Sequence, residues 1–265
     1  MPSKTAAALE ANAEAGHGSL IGYFPAGYPT VEASIEACVA MCENGLDVLE
    51  VGVPYSDPVM DGPVIQAATV EALANGFKLR QTFDVVRAIT ERVSTPVLVM
   101  SYWNPIVQYG VERFASHLAA AGGAGIITPD LIPDEGAEWI AAAEKHDLDR
   151  VFLAAPTSTQ ERVNNAAEKS RGFVYAVSTM GITGAREELD ELARKVVGSV
   201  RQAPTRQNTA VGIGISTGDQ VAEVNGYADG AIVGSAFVKA YQSGGIDALS
   251  AKVAELASSL DTRNN

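Results

Sequence analysis

Apolar residues fall in short, nearly continuous runs at 19–24 (SLIGYF), 47–53 (DVLEVGV), 96–102 (PVLVMSY), 124–130 (AGIITPD), 150–155 (RVFLAA), 172–178 (GFVYAVS), 210–216 (AVGIGIS) and 229–235 (DGAIVGS). Runs of this length without polar alternation predict strands covered on both faces, as in a parallel sheet. Between them lie alanine-rich stretches such as VEASIEACVAMCENG, GVERFASHLAAAGG and PDEGAEWIAAAEKHD, with apolar positions near helical spacing and Gly often at the end. Each strand is followed by helix-forming sequence, the last of it weak. Two further helices are predicted, one at 3–15 before the first strand and one after Asp61 in GPVIQAATVEALANG.

Eight β-α units predict an α/β TIM (β/α)8 barrel with an extra N-terminal helix and an inserted helix after strand 2, in preference to a doubly wound sheet. The 265 residues suit one such domain, since this barrel takes about 250 residues, and no linker or low-complexity segment divides 1–265. In this fold the active site lies at the C-terminal ends of the strands and in the loops that follow them.

Charge narrows the partners. A net charge of −13 disfavours nucleic acid and anionic membranes, and requires any phosphate site to be electropositive locally. Cys38 and Cys42, four apart in a helical pattern with no His nearby, read as core packing rather than a metal site. The N-terminal MPSKTAAALEANAEAG carries acids where a signal peptide would be apolar, and no run approaches the roughly 18 apolar residues of a membrane span; the expected location is the cytoplasm.

Two carboxylates carry the candidate chemistry. Side chains alternate along a strand, so Leu49, Val51 and Val53 suit the helix layer while Glu50, with Val48 and Gly52, points into the barrel. A buried carboxylate without a partner is costly and takes a raised pKa, which suits proton transfer; the competing reading is a Glu satisfied by a neighbouring hydroxyl or amide. Asp61, in the loop before a Gly-Pro, is either a functional acid or ordinary turn and cap chemistry. Glycine-rich loops follow the last three strands: STMGITGA (178–185), GIGIST (212–217) and VGSAFV (233–238). Their amides, with a helix opening at Gly234-Ser235, form a candidate phosphate site. MGITGAREELDEL has the pattern of a lid, with glycines at its base.

LEVGVPYSDPVMDGPVIQ resembles the signature of the tryptophan synthase alpha subunit family. LIGYFPAGYPT, NPIVQYG, TPDLIPDE, VYAVSTMGITGAR, GIGIST and DGAIVGSAFV follow in the family's order, so the resemblance spans nearly the whole chain. It implies a lyase that splits indole-3-glycerol phosphate into indole and glyceraldehyde 3-phosphate, with no cofactor of its own. The partner implied is a beta subunit carrying pyridoxal phosphate, in an alpha2beta2 heterotetramer, with indole passing through a tunnel. By the same resemblance Glu50 is the acid–base group and Asp61 receives the indole N–H. Tyr175 lines the site, Phe24, Ile65, Met100 and Ile127 wall the indole ring, and Thr183 reaches in from the lid. Gly184, Gly212, Gly214, Gly234 and Ser235 match the phosphate loops, while Pro54, Asp57 and Pro58 belong to the loop facing the beta subunit. Two departures stand out: Thr179-Met180 where many members carry an arginine after the serine, and Tyr55 where Phe is commoner. A lyase working alone and a non-catalytic regulatory subunit are the alternatives. The intact acid pair argues against the second, and the absence of a strand-end Lys argues against a Schiff-base aldolase.

Overall fold

A computed structural model describes residues 3–178 and 186–260 of the chain. Its strands are β1 (Leu20–Pro25), β2 (Val48–Gly52), β3 (Val97–Met100), β4 (Gly125–Ile127), β5 (Asp149–Val151), β6 (Leu153–Ala154), β7 (Val174–Val177), β8 (Thr209–Gly212) and β9 (Gly230–Val233). They form one parallel sheet in the order β5-β4-β3-β2-β1-β9-β8-β7-β6. Only Phe152 separates β5 from β6, so the two ends of that order are halves of one interrupted strand and the sheet curls into a TIM barrel. The eight apolar runs therefore correspond to the eight barrel positions.

The helices are α1 (Lys4–Glu14), α2 (Val31–Glu43), α3 (Pro63–Ala74), α4 (Gln81–Thr90), α5 (Trp103–Tyr109), α6 (Val111–Ala120), α7 (Ala137–Lys145), α8 (Gln160–Lys169), α9 (Arg186–Arg201), α10 (Gly218–Asn225) and α11 (Ser235–Ala257). The two expected additions are α1 and α3. The short α5 is a third, hidden in the sequence because its seven residues span barely two turns. The weak last helix is long but broken: backbone at Gly244 and Gly245 leaves helical geometry, which separates a segment opening at Ser235 from one buried through Leu249, Val253 and Leu256.

Strand alternation divides the core in two. Leu20 and Phe24 of β1 and Leu49 and Val51 of β2 pack outward under the helices, whereas Ile21 and Val48 join Leu98, Ile127, Val151 and Phe173 inside the barrel. Leu9 and Ala8 of α1 pack against this inner cluster, so α1 closes one end of the barrel. The N-cap Ser3 fixes that helix: its Oγ accepts from the Ala6 amide and donates to Asp149 Oδ2 at 2.7 Å, at the start of β5. The opposite end, where the strands finish, is left for function. Cys38 is buried in the outer core and Cys42 packs half-buried against it; burial pushes both thiols up, to about 11 at Cys42.

Phe24 is fully buried, with its ring 5.4 Å from that of Tyr241 on α11 and 6.1 Å from that of Tyr28. Phe24→Ala would leave a void between β1 and α11, with an expected loss of about 3–5 kcal/mol. Urea unfolding checks this, and a loss below about 1 kcal/mol would show that the ring is not a core element.

Candidate functional site

A cavity of about 360 Å³ opens where the strands end, lined by residues from nearly every barrel position. Its chemistry starts at β2. Glu50 pairs in register with Tyr23 of β1 and Leu98 of β3, and the pleat turns its side chain inward. It is 1% exposed, and its Oε1 has no hydrogen-bond partner among the described residues. Burial alone lifts its pKa to about 8, because a charge in this setting loses its hydration without compensation. The competing reading of a Glu satisfied by a neighbouring hydroxyl does not hold for that oxygen.

Asp61 reaches the same cavity from the loop after β2. Gly62, not Asp61, is the N-cap of α3, and Pro63 occupies the first turn, so the carboxylate is not spent on capping. The backbone around it is tied down instead: Gln66 Nε2 donates to the Asp61 carbonyl at 2.8 Å, and the Asp61 amide donates to the Pro58 carbonyl. Burial raises the Asp61 pKa to about 6, opposed by a hydrogen bond from the Tyr102 hydroxyl to Oδ1 at 3.3 Å. The Tyr102 hydroxyl also accepts from the Met60 amide at 2.9 Å.

Tyr23 and Tyr175 complete the polar lining, and each leans over a glycine on the next strand. A Cβ at Gly52 would lie 2.1 Å from the Tyr23 hydroxyl oxygen, and one at Gly212 would lie 2.4 Å from that of Tyr175. Both glycines are therefore required by close approach, whatever else they bind. Burial raises both phenols, assisted by Asp61 and Glu50, so they stay protonated and act as neutral hydrogen-bonding groups.

Ile65, Met100 and Ile127 supply apolar wall, with Leu153 and Ile232. Gly212, Gly214, Gly234 and Ser235 line the cavity as well, where β8 and β9 end and α11 begins. No Lys or Arg is among the described lining residues; what the lining offers an anion is backbone amides, hydroxyls such as that of Ser235 and the N-terminus of α11. Among the described residues no cluster of His, Cys, Asp and Glu has the makings of a metal site, and no helix is long and apolar enough to cross a membrane.

Phe24 is a correction: it belongs to the outer core, one residue out of phase with the interior. The cavity residue of β1 is Tyr23, opposite Glu50 in register, and the alternation that orients Glu50 would have identified it. The same step of two along Leu98, Met100 and Tyr102 points to Tyr102, also passed over by the sequence reading. Thr183 and Gly184, with Thr179-Met180, lie outside the described residues. Pro54 is buried, Pro58 half-buried and Asp57 exposed, its Oδ2 accepting from Ser56 Oγ at 2.6 Å.

The sequence profile of the family described as "Tryptophan synthase alpha chain" matches residues 9–263. The tryptophan synthase alpha chain of Leifsonia xyli is 63% identical over 240 residues, covering 91% of this chain and 92% of the relative. That of Nocardia farcinica is 55% identical over 248 residues, covering 93% and 92%. Among solved structures, a chain of Mycobacterium tuberculosis tryptophan synthase superposes with a TM-score of 0.93 at 48% identity, covering 98% of this chain and 99% of that one. A chain of the tryptophan synthase complex from Pyrococcus furiosus gives 0.82 at 35% identity, covering 91% and 98%. Full-length matches at this identity, on a barrel with a buried acid at its second strand, mean that the chain belongs to the tryptophan synthase alpha chain family, the lyase component of that enzyme in tryptophan biosynthesis.

Proposed function

We propose that this cavity performs the family's retro-aldol cleavage of indole-3-glycerol phosphate with Glu50 as the sole proton shuttle and Asp61 as the electrostatic partner of the indole ring. The observation that carries the reading is the pairing of a fully buried, proton-holding Glu50 with a more acidic Asp61 in one largely apolar cavity. Near neutrality Glu50 retains its proton and Asp61 is ionised. Glu50 donates its proton to indole C3, which places positive charge on the ring, and Asp61 accepts a hydrogen bond from the ring N–H and stabilises that charge. The Glu50 carboxylate then removes the proton of the side-chain hydroxyl next to C3. The C3–carbon bond breaks, its electron pair restores neutral indole, the hydroxyl carbon becomes the aldehyde, and Glu50 is again protonated. The ring itself accepts the electrons, so no step calls for a cofactor.

Ile65, Met100 and Ile127 form the apolar wall for indole in this reading, and Tyr175 lies beside Glu50. Gly212, Gly214, Gly234 and Ser235, with Gly184 from outside the described residues, hold the phosphate through backbone amides. Thr183 belongs to the lid. The partner in this reading is a pyridoxal-phosphate beta subunit, in an alpha2beta2 assembly. Val59 is 75% exposed, Val107 45% and Ile132 43%. They follow β2, β3 and β4 in turn, Val107 on the short α5 and the other two in loops, so three neighbouring segments at the cavity end present apolar side chains to the outside, as an interface would. Pro54, Asp57 and Pro58 belong to the first of these loops.

The direct test is incubation with indole-3-glycerol phosphate, with and without a matched beta subunit, while indole is measured; no indole under either condition overturns the reading. Further outcomes are expected. The activity kcat/KM should be bell-shaped in pH, falling below about 6 as Asp61 protonates and above about 8 as Glu50 ionises; a profile flat from pH 5 to 9 would contradict this assignment of roles.

Glu50→Gln should lose at least the roughly 10²–10⁴-fold of an acid–base residue. It should also change stability in a pH-dependent way. The folded-state pKa of Glu50 is raised, so between about 4.5 and about 8 the folded chain binds more protons than the unfolded one and loses stability as pH rises. Gln removes that loss, so the variant should gain on the wild type between pH 5 and pH 8.5 in denaturant midpoints. Parallel midpoints at the two pH values would show that Glu50 is not held proton-bound.

Gly234→Asp should raise KM steeply with a smaller change in kcat, since it brings a charge and a side chain to the proposed phosphate amides; an unchanged KM places the anion elsewhere. Asp57→Ala should reduce activation by the beta subunit more than basal cleavage, and equal losses would confine the loop to a local role.

A further inference from the structure

Asp61 is faced by Tyr23 from β1, Glu50 from β2, Tyr102 from the end of β3 and Tyr175 from β7, with no cation among the described residues of the cavity. Of these groups, Tyr102 is the one whose hydrogen bond to Asp61 is formed, at 3.3 Å, near the limit of such a bond. That contact depends on how the Tyr102 ring is held. The ring is nearly buried, and its outer neighbour is Tyr55, with ring centroids 5.3 Å apart and planes at 33°. Tyr55 stands in the 54–58 loop, half-buried, and its hydroxyl accepts from Asn104 Nδ2 at 3.2 Å. Asn104 is the second residue of α5, and the helix start is fixed in turn by the Trp103 amide donating to Asp130 Oδ1 at 2.8 Å beyond β4. The Tyr102 hydroxyl also holds the loop's far end by accepting from the Met60 amide.

We propose that Tyr55 is a positioning residue: by clamping the Tyr102 ring against the barrel it holds Asp61 aligned, so that the 54–58 loop and the site's second acid move as one unit. Its importance for turnover rests on the lyase reading; its effect on Asp61 does not. Without the Tyr55 ring, one face of Tyr102 is open and the phenol is free to swing away from Oδ1. The ionised form of Asp61 then loses its donor, and the carboxyl becomes a weaker acid. The hydroxyl of Tyr55 matters less, because it secures the ring to α5 while ring contact does the clamping. The exposed Asp57 and Val59 lie in the chain between Tyr55 and Asp61, so whatever grips that stretch acts on the acid through the brace.

The test uses the full chain with a ¹³C label on the Asp carboxyls, followed by NMR titration without substrate, together with the pH dependence of kcat/KM. Tyr55→Ala should raise the Asp61 midpoint by about half a pH unit, move the acid limb of kcat/KM upward by the same amount, and lower kcat by about tenfold with a smaller effect on KM. Tyr55→Phe keeps the ring and should restore both readouts to within about twofold of wild type. Should Tyr55→Ala fail to fold, Tyr102→Phe keeps the packing, removes the donor and should move the Asp61 midpoint in the same direction. An Asp61 midpoint unmoved in the folded variants, or Tyr55→Phe as damaged as Tyr55→Ala, overturns the proposal. A wild-type chain that cleaves nothing would count against the lyase reading instead, since the titration reads Asp61 without turnover.

Discussion

A carboxyl group buried on the inner face of a closed parallel sheet loses most of the hydration that would stabilise its charge, and the organisation of the candidate site follows from that constraint at Glu50. The pleat fixes which way the side chain points, and the flanking strands fix what surrounds it. Moving the residue by one position would send it into the helix layer among Leu49 and Val51, where an acid would only destabilise. Kept inside, it retains a proton near neutrality because its surroundings offer nothing better. Closure of the opposite barrel end by α1, clamped through Ser3 to Asp149, helps keep those surroundings dry.

The second constraint is room. Tyr23 and Tyr175 put large phenols into the upper barrel without filling it, because each leans over a glycine at the end of the adjacent strand. Glycines in these loops therefore do two separate jobs. Gly52 and Gly212 create space for a side chain, whereas Gly214, with φ of 74°, and Gly234, at the opening of α11, shape the backbone itself. One residue type serves both geometries, so a glycine-rich strand end by itself does not say which job is present.

That ambiguity marks the limit of what the chain reveals before folding. The eight strands were legible because both faces are covered, and the orientation of Glu50 was legible because alternation has a period of two. Phe24 was misplaced where the resemblance was not checked against that rule: parity puts it beneath α11 and puts Tyr23 in the cavity. Alternation from Leu98 and Met100 also reaches Tyr102, but its role depends on contacts across the sequence, to Met60 and Asp61, which no local pattern encodes. The α5 helix was too short for periodicity to register. The last helix read as weak because Gly244-Gly245 interrupts it, leaving two helical segments on either side of a break.

The chain's charge of −13 sits uneasily with a phosphate-bearing substrate until distance is considered. Surface carboxylates act through solvent, and at physiological ionic strength their field decays over about 8 Å. In the proposed phosphate site, the amides at the end of β9 and the start of α11 would act at contact distance, next to low-dielectric walls formed by Ile65, Met100 and Ile127. Close oriented dipoles therefore outweigh a diffuse, screened charge. A lysine or arginine in the same cavity would bind phosphate more tightly, but it would also pull Glu50 toward its ionised form and remove the proton that the reaction needs. Holding the anion with neutral groups lets one cavity receive a phosphate ester while its central acid stays protonated. With no cation among the described lining, nothing there offsets the burial that raises the pKa of Glu50.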